Sequence, residues 1–257
     1  TLGKIAYEKA GIIKEGVPLV LYPQVKEADE IIRKVAKKKK SEIIDAGKTK
    51  AQFIGNLIED NKYFQSVHII TLQDQYDIKL ALLGKHQLIN AATAVTAVEN
   101  LKHQGILIQK KHILAGLSKV VWKGRIQVIK KEPLVVLDGA HNIDGILKLK
   151  ESIKIHFNFN RLILIQGILA DKAVEKMVKT ITEDAFRVIT VSPHNNRAET
   201  EETLCDIVKH YNTKCEAEID YKKAYEKAVS YCRKGDMIII CGSLYMIGDM
   251  IRIIKND

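Results

Sequence analysis

Four short segments place polar residues where strands are expected to end or helices to begin. The segments are EKAGIIK at 8–14, GKHQLIN at 84–90, WKGR at 122–125 and LDGAHN at 137–142. Asp138 ends an aliphatic run, and open α/β sheets bind ligands beyond the carboxyl ends of their strands. A carboxylate there can accept hydrogen bonds from a ribose or position a cation, and the Arg125 guanidinium can donate two hydrogen bonds to phosphate oxygens. Each segment alone is a weak signal, and its meaning depends on the elements that position it.

The second half of the chain alternates short aliphatic runs with segments of helical periodicity. The runs lie at 134–138, 161–168, 186–191 and 236–242, the helical segments lie at 142–156, 171–182, 200–211, 221–233 and 244–255, and a short strand is expected near 217–219. The runs lack the polar alternation of half-exposed strands because a sheet covered on both faces buries both sides of each strand. The pattern predicts an α/β fold with a parallel sheet.

The first half of the chain has a different pattern. It predicts an opening helix, a strand at 17–22, a basic helix through Lys40, an antiparallel hairpin around Asp74 and Gln75, and an Ala-rich helix at 87–101. One face of the Ala-rich helix is expected to be buried and comprises Ala91, Ala94, Val95, Val98 and Leu101. The stretch 122–133 reads as a junction, so we predict two domains, 1–130 and 131–257.

The composition excludes several classes of protein. The 257 residues include 41 Lys and Arg against 31 Asp and Glu, a formal net charge of +10, and are 46% hydrophobic but only 6% aromatic. This is enough aliphatic material for a core, which excludes a disordered chain, and few rings to stack on bases. The lysine run at 37–40 ends a predicted helix, where cations complement the helix dipole, so we expect no nucleic-acid partner. No apolar run approaches the roughly 20 residues of a membrane span, so we expect no membrane partner.

The sequence contains no recognisable metal cage or phosphate-binding loop. Its cysteines, Cys205, Cys215, Cys232 and Cys241, form no CxxC pair, and a reducing cytoplasm suits them best. The GKT at 47–49 lacks the first glycine of a P-loop, because Glu42 occupies that position. The chain starts at Thr1, within an expected helix.

Taken in order, five motifs resemble those of the folylpolyglutamate synthase/dihydrofolate synthase family of the Mur ligase superfamily. They are EKAGIIK, GxHQxxNAATA, W-x-GR, LDGAHN and the terminal GSLYMIGDM, and together they cover nearly the whole chain. The resemblance implies that residues 1–130 are the latter part of a Mur-ligase-type central ATPase domain, cut before its P-loop. Residues 131–257 are then a Rossmann-like C-terminal ligase domain with a mostly parallel sheet.

The resemblance also implies roles for nucleotide and metal ligands. Lys9 matches a catalytic lysine that is carbamylated, which converts a cation into a carboxylate-like group able to help bind Mg²⁺. This reaction needs a neutral amine, so burial or neighbours are expected to favour the uncharged form of Lys9. Gln87 and Asn90, one helical turn apart, and Arg125 and Asp138 match residues that hold ATP. Lys123 replaces the proline of the family's W-P-G-R segment.

Three further residues are candidates for the acyl centre and the incoming amino acid. His141 is expected to be catalytic and to bind substrate, and Ser243 and Arg197 are expected to bind substrate. Ser243 lies between an aliphatic strand and a helix, where free backbone N–H groups attract carboxylates. Helix capping is an equally good reading of Ser243.

The implied reaction is ATP-dependent amide ligation in folate biosynthesis and polyglutamylation. A carboxylate of folate or dihydropteroate is phosphorylated, and the amine of L-glutamate attacks the acyl phosphate. We expect a cytoplasmic monomer whose partners are these small molecules, and expect this piece alone to be inactive without a P-loop. The alternatives are another Mur-type amino-acid ligase, such as a cell-wall precursor or cyanophycin ligase, and a non-catalytic nucleotide- or folate-binding fragment.

Overall fold

The computed structural model describes residues 1–255, apart from the side chain of His103. The described chain divides into two compact units, Thr1–Ala81 with Lys85–Val120, and Leu82–Gly84 with the residues from Val121 onward. The division lies nearer the N-terminus than residue 130, because the strand Gln127–Lys131 pairs with Leu134–Asp138 of the second unit. Among the described residues, no helix is both long and apolar enough to cross a membrane.

The first unit joins a short parallel strand pair and an antiparallel sheet to four α-helices. Its described elements are α1 Leu2–Ala10, β1 Leu19–Leu21, α2 Lys26–Lys38, β2 Ile43–Asp45, β3 Lys50–Glu59, β4 Lys62–Ile70, β5 Gln75–Leu80, α3 Lys85–Leu101 and α4 Lys110–Lys119. The predicted hairpin forms, with Ile70 of β4 opposite Gln75 of β5. Strand β3 adds to the other edge of β4 and was not predicted.

The buried face of α3 differs from the predicted one. Ala94 is exposed, and the buried stripe instead runs through Leu88, Ala91, Val95 and Glu99. Glu99 is buried because its Oε1 accepts hydrogen bonds from the Tyr76 hydroxyl, at 2.8 Å, and from Thr71, at 2.8 Å. A carboxylate with such partners can be buried where an unpaired one could not.

The second unit confirms the predicted α/β fold with a mostly parallel sheet. Its described elements are β6 Gln127–Lys131, β7 Leu134–Asp138, α5 Ile143–His156, β8 Leu162–Gln166, α6 Val174–Thr182, β9 Arg187–Thr190, α7 Glu201–Lys209, β10 Cys215–Ala217, α8 Tyr221–Tyr231, β11 Met237–Cys241 and α9 Leu244–Lys255. The described strands lie in the order β10-β9-β8-β11-β7-β6, and β6 alone among them is antiparallel to its neighbour.

The connections assign the helices to the two faces of this sheet. From β7 to β8, β9 and β10, each successive strand lies further toward the same edge of the sheet. Because crossover connections between parallel strands are right-handed, helices α5, α6 and α7 lie on one face. The chain then returns to β11, which puts α8 and α9 on the other face. There Tyr225, Met250 and Ile254 pack on alternate strand residues such as Val135 and Ile163.

The last row of side chains at the carboxyl edge is polar. Asp138 pairs in register with Cys241, Cys241 with Gln166, and Gln166 with Thr190. Paired residues of parallel strands share a face, and alternation places this row on the face opposite Val135 and Ile163. All four side chains are buried. The fold therefore places Asp138 within a buried polar row at the edge where ligands are expected.

Candidate functional site

Asp138 holds together two turns at the carboxyl edge of the sheet. Its Oδ2 accepts a hydrogen bond from the backbone N–H of Ile126 at 2.8 Å, and its Oδ1 accepts one from Ala140 at 2.8 Å. Burial raises the pKa of this carboxyl, against the opposing pull of the two N–H donors and the charges of Arg125 and His141. Asp138 therefore fastens the loop of the WKGR segment to the DGAHN turn.

The backbone of the WKGR loop is in an unusual conformation. Gly124 has φ +70° and Ile126 has φ +44°, the left-handed region that costs a β-branched residue energy. The Gly139 N–H donates to the Gly124 carbonyl at 2.7 Å, and the Gly124 N–H donates to Gln127 Oε1 at 2.9 Å. These bonds, with the Asp138–Ile126 bond, fix the backbone on both sides of Arg125.

Arg125 is half-buried on this fixed loop, and its guanidinium makes no hydrogen bond or ion pair within the part of the chain that the structure describes. The charge of Arg125 lies close enough to lower the pKa of Asp138. A guanidinium carries five N–H donors, so Arg125 has its hydrogen-bonding capacity available for an anion. This arrangement fits the predicted contact with phosphate.

His141 occupies the DGAHN turn next to the start of α5. Its Nδ1 lies 2.8 Å from the Gly139 carbonyl oxygen, which can only accept, so Nδ1 is a donor and Nε2 is the ring nitrogen that can act as an acceptor. Asn142 caps α5, because its Oδ1 accepts from the Gly145 N–H at 2.7 Å. The turn therefore presents a half-buried imidazole of defined tautomer beside Asp138.

Ser243 and Arg197 both have structural partners. Ser243 is 1% exposed, and its Oγ accepts from the Tyr245 N–H at 3.3 Å, which is the capping interaction at the start of α9. Arg197 Nη1 donates to Asp171 Oδ2 at 3.0 Å, and the Arg197 carbonyl accepts from the Ala170 N–H at 2.7 Å. Arg197 thus joins the loops that follow β8 and β9. Helix α6 begins at Val174, after the predicted start at 171.

In the first unit, Gln87 and Asn90 lie together, as their spacing predicted. Asn90 Nδ2 donates to Gln87 Oε1 at 2.9 Å, and Gln87 Nε2 is 3.0 Å from His86 Nε2. Gln87 is buried and Asn90 is exposed. The buried amide therefore orients Asn90, whose own carbonyl oxygen remains at the surface of α3.

Lys9 lies in the last turn of α1 and is exposed. Its Nζ is 3.2 Å from Glu8 Oε1, and the two side chains are 74% and 75% exposed. Within residues 1–255, no three His, Cys, Asp or Glu side chains come together as metal ligands. Without modification of Lys9, the donors of the described residues do not by themselves make up a Mg²⁺ site.

Gln166 is a buried polar residue that the sequence patterns missed. It is 0% exposed, and neither its Oε1 nor its Nε2 has a hydrogen-bond partner among the described residues. The sequence did contain a signal for this residue, because Gln166 ends strand β8 and the four residues before it are all apolar. A buried amide without partners costs stability, in the range of about 1–3 kcal/mol.

Gln166→Met should therefore stabilise the protein by about 1 kcal/mol, because the substitution keeps the side-chain length and removes the desolvated amide. Thr190→Val is the matched control, since the Thr190 hydroxyl in the same row donates to the Glu201 carbonyl at 2.7 Å. Because valine cannot donate this hydrogen bond, the control should have a free energy of unfolding about 1 kcal/mol lower than wild type. Urea unfolding measures both changes, and a destabilised Gln166→Met variant would show that the amide is satisfied.

Comparison with known proteins defines the class of this chain. The Mur ligase middle domain matches residues 1–98, and the Mur ligase glutamate ligase domain matches residues 124–244. The two matches follow one another in the order of the two units and leave only short segments uncovered. The chain belongs to the Mur ligase family.

Within that family, the chain is similar to enzymes of folate metabolism. It is 31% identical to the dihydrofolate synthase/folylpolyglutamate synthase of Bacillus subtilis, over 99% of this chain and 59% of the relative. It is 31% identical to the folylpolyglutamate synthase of Lacticaseibacillus casei over 75% of this chain and 44% of the relative. The crystal structure of the Thermotoga maritima folylpolyglutamate synthase superposes with a TM-score of 0.81 at 29% identity, covering 99% of this chain and 58% of that one. The chain thus spans less than two thirds of the length of these proteins.

Proposed function

We propose that the protein ligates L-glutamate to folate or dihydropteroate at the expense of ATP, through an acyl phosphate. The observation that carries the proposal is Arg125, a half-buried guanidinium without a protein acceptor in the described chain, on a loop fixed by Asp138. Folate-type relatives at 31% identity support the choice of substrates. The proposal also makes the protein a monomer with small-molecule partners only. It places the protein in the cytoplasm, where thiols stay reduced, and this location is supported by free thiols at Cys205, Cys215, Cys232 and Cys241.

The proposed nucleotide-binding residues of the second unit have different tasks. Arg125 donates hydrogen bonds to phosphate oxygens and spreads the negative charge that develops during phosphoryl transfer. Asp138 positions Arg125 through the Ile126 N–H, and its remaining lone pairs can accept from a ribose hydroxyl. In the first unit, the Gln87–Asn90 pair offers an oriented amide to the nucleotide.

The glutamate-binding and catalytic roles fall to residues near the DGAHN turn. With Nδ1 donating to Gly139, His141 presents Nε2 as an acceptor for the ammonium group of the incoming amino acid. Nε2 would take one proton from the ammonium group, and the neutral amine so formed would attack the acyl carbon and displace phosphate. Ser243 and Arg197 are proposed as carboxylate contacts, although each also has the structural role described above.

Mg²⁺ would neutralise phosphate charge during the transfer. A carbamylated Lys9 would supply an oxygen ligand to it, and the exposed Nζ of Lys9 is accessible to CO₂. Mass spectrometry of the protein in bicarbonate buffer tests this assignment: carbamylation should appear on Lys9 and be absent from Lys9→Arg.

Incorporation of labelled glutamate distinguishes the candidate activities. The complete gene product should incorporate glutamate when supplied with ATP and either folate or dihydropteroate. Incorporation only with a muramyl-peptide or cyanophycin acceptor would contradict the folate proposal and show that the protein is another Mur-type amino-acid ligase. Nucleotide binding without turnover on any acceptor would favour the non-catalytic alternative.

Arg125→Ala should raise the KM for ATP by at least tenfold, because one charge-assisted contact to phosphate is worth about 1.5–3 kcal/mol. Its free energy of unfolding should stay within about 0.5 kcal/mol of wild type, since the guanidinium makes no bond in the described chain. Arg252→Ala is the control, because Arg252 is 77% exposed and, among the described residues, pairs only with Asp249 on the same helix. Steady-state kinetics at varied ATP measures the effect, and an unchanged KM contradicts the assignment.

A further inference from the structure

Two cysteine thiols meet at the edge of the sheet opposite to β6. Cys205 lies in α7 and is 3% exposed, and Cys215 is the half-buried first residue of the edge strand β10. Both are free, and their Sγ atoms are 3.0 Å apart in a thiol–thiol hydrogen bond. A covalent disulfide is only about 1 Å shorter, at about 2.05 Å. The remaining cysteines, Cys232 and Cys241, have no such neighbour among the described residues.

The strand that carries Cys215 is held in register. Cys215 pairs with Val188 of β9, and the next residue, Glu216, faces the opposite side of the sheet. Glu216 accepts from the Tyr231 hydroxyl at 2.6 Å and forms ion pairs with Arg187 at 3.6 Å and Lys227 at 3.4 Å. These contacts prevent β10 from sliding along β9, so the position of Cys215 is fixed.

Helix α7 is equally well anchored beneath the thiols. Leu204 and Val208, on either side of Cys205 on the buried face, are 0% exposed. Lys209, one turn after Cys205, interacts electrostatically with both thiols and is paired with Asp206 at 3.1 Å. Burial and the neighbouring Cys205 raise the pKa of Cys215, and Lys209 and the Thr190 hydroxyl act in the opposite direction. Two rigid elements thus hold the sulfur atoms in contact.

We propose that Cys205 and Cys215 are a site of reversible disulfide formation, oxidised by a low-molecular-weight disulfide such as oxidised glutathione. Cys215, the more exposed of the two thiols, attacks one sulfur of the reagent as its thiolate, which forms a mixed disulfide and releases one thiol. The Cys205 thiolate then attacks the Cys215 sulfur, forms the internal bond and releases the second thiol. Two protein thiols are oxidised, one reagent disulfide is reduced, and the two protons end on the released thiols. The product ties α7 to the edge strand.

The test is oxidation of the native chain followed by peptide mapping without reduction. Incubation with excess oxidised glutathione in mildly alkaline buffer should lower the intact mass by two hydrogens and reduce the free thiols from four to two. The digest should contain one linked peptide pair, Cys205 to Cys215, and a dithiol reductant should restore the original mass. The oxidised protein should also unfold at a higher urea concentration, because the crosslink restricts the unfolded chain.

Variants separate this site from general thiol oxidation. Oxidised Cys205→Ser and Cys215→Ser should show neither the loss of two hydrogens nor the gain in urea resistance. The matched control Cys232→Ser should show both. Wild-type mapping decides the question even if a variant folds poorly. A glutathione adduct on Cys215 without the internal link, a link between other cysteines, or four free thiols after exposure to the stronger oxidant diamide would each overturn the proposal.

Discussion

Asp138→Asn should lower the free energy of unfolding by about 2–4 kcal/mol and raise the KM for ATP at least tenfold. The asparagine can offer its single oxygen to only one of the Ile126 and Ala140 N–H groups, so the other is left buried against an NH₂ group. Loss of a buried hydrogen bond to a charged group costs about 1.5–3 kcal/mol, and the unsatisfied donor adds to that cost. The KM effect follows because Ile126 adjoins Arg125, whose position Asp138 fixes.

Asp144→Asn is the matched control for this substitution. Asp144 lies six residues further along the chain and is 74% exposed. Within the described chain it pairs only with Lys148, in the next turn of α5, at 2.6 Å. Such exposed i,i+4 pairs contribute about 0.3–0.5 kcal/mol, so its urea midpoint and its KM should barely change. An Asp138→Asn protein as stable as wild type would contradict the structural role, whereas unchanged ATP kinetics would contradict the link to Arg125.

Asp236→Asn should cost about 3 kcal/mol of stability without changing the residues of the candidate site. Asp236 has a side chain 1% exposed and accepts from Arg161 through Nε, at 3.0 Å, and Nη2, at 2.5 Å. It also accepts from the Arg233 N–H at 2.8 Å. Breaking a buried ion pair from one side costs about 3–5 kcal/mol, and the lower value is expected because Arg161 is 23% exposed and stacks on Phe186.

The same pair predicts a pH dependence. The hydrogen bonds from Arg161 lower the pKa of Asp236, so its contribution to stability is present above the ordinary value of about 3.9. That contribution is lost as the pH falls through the lower folded-state pKa, because the unfolded chain takes up the proton first. In urea unfolding from neutral to acid pH, the difference in free energy of unfolding between wild type and Asp236→Asn should become smaller below about pH 4. Glu226→Gln is the control, because the pair it breaks in the part of the chain that the structure describes is an exposed one with Lys222. Its free energy of unfolding should match that of wild type across this pH range.

Much of the second unit could be predicted because its signals are local. The aliphatic run at 134–138 coincides with β7, and helix α5 begins one residue after its Asn142 cap. Strand ends and helix starts follow from a few neighbouring residues, so Asp138, His141 and Ser243 could be assigned to one edge before any contact was known. The spacing of Gln87 and Asn90 also predicted their meeting on α3.

Tertiary structure decided which groups those residues contact. Asp138 accepts a hydrogen bond from the backbone N–H of Ile126, twelve residues away in sequence. Asp236 accepts one from the Arg161 guanidinium, seventy-five residues away. Cys205 meets Cys215 only because β10 takes the outer edge of the sheet, and Gln166 is isolated only because neighbouring strands bury it. The burial of Glu99 on helix α3 likewise required Tyr76 of strand β5. Local sequence therefore determined the elements and the edge that carries the candidate site. The pairing of distant segments, which depends on strand order and on burial shared between them, determined what each polar group is bonded to.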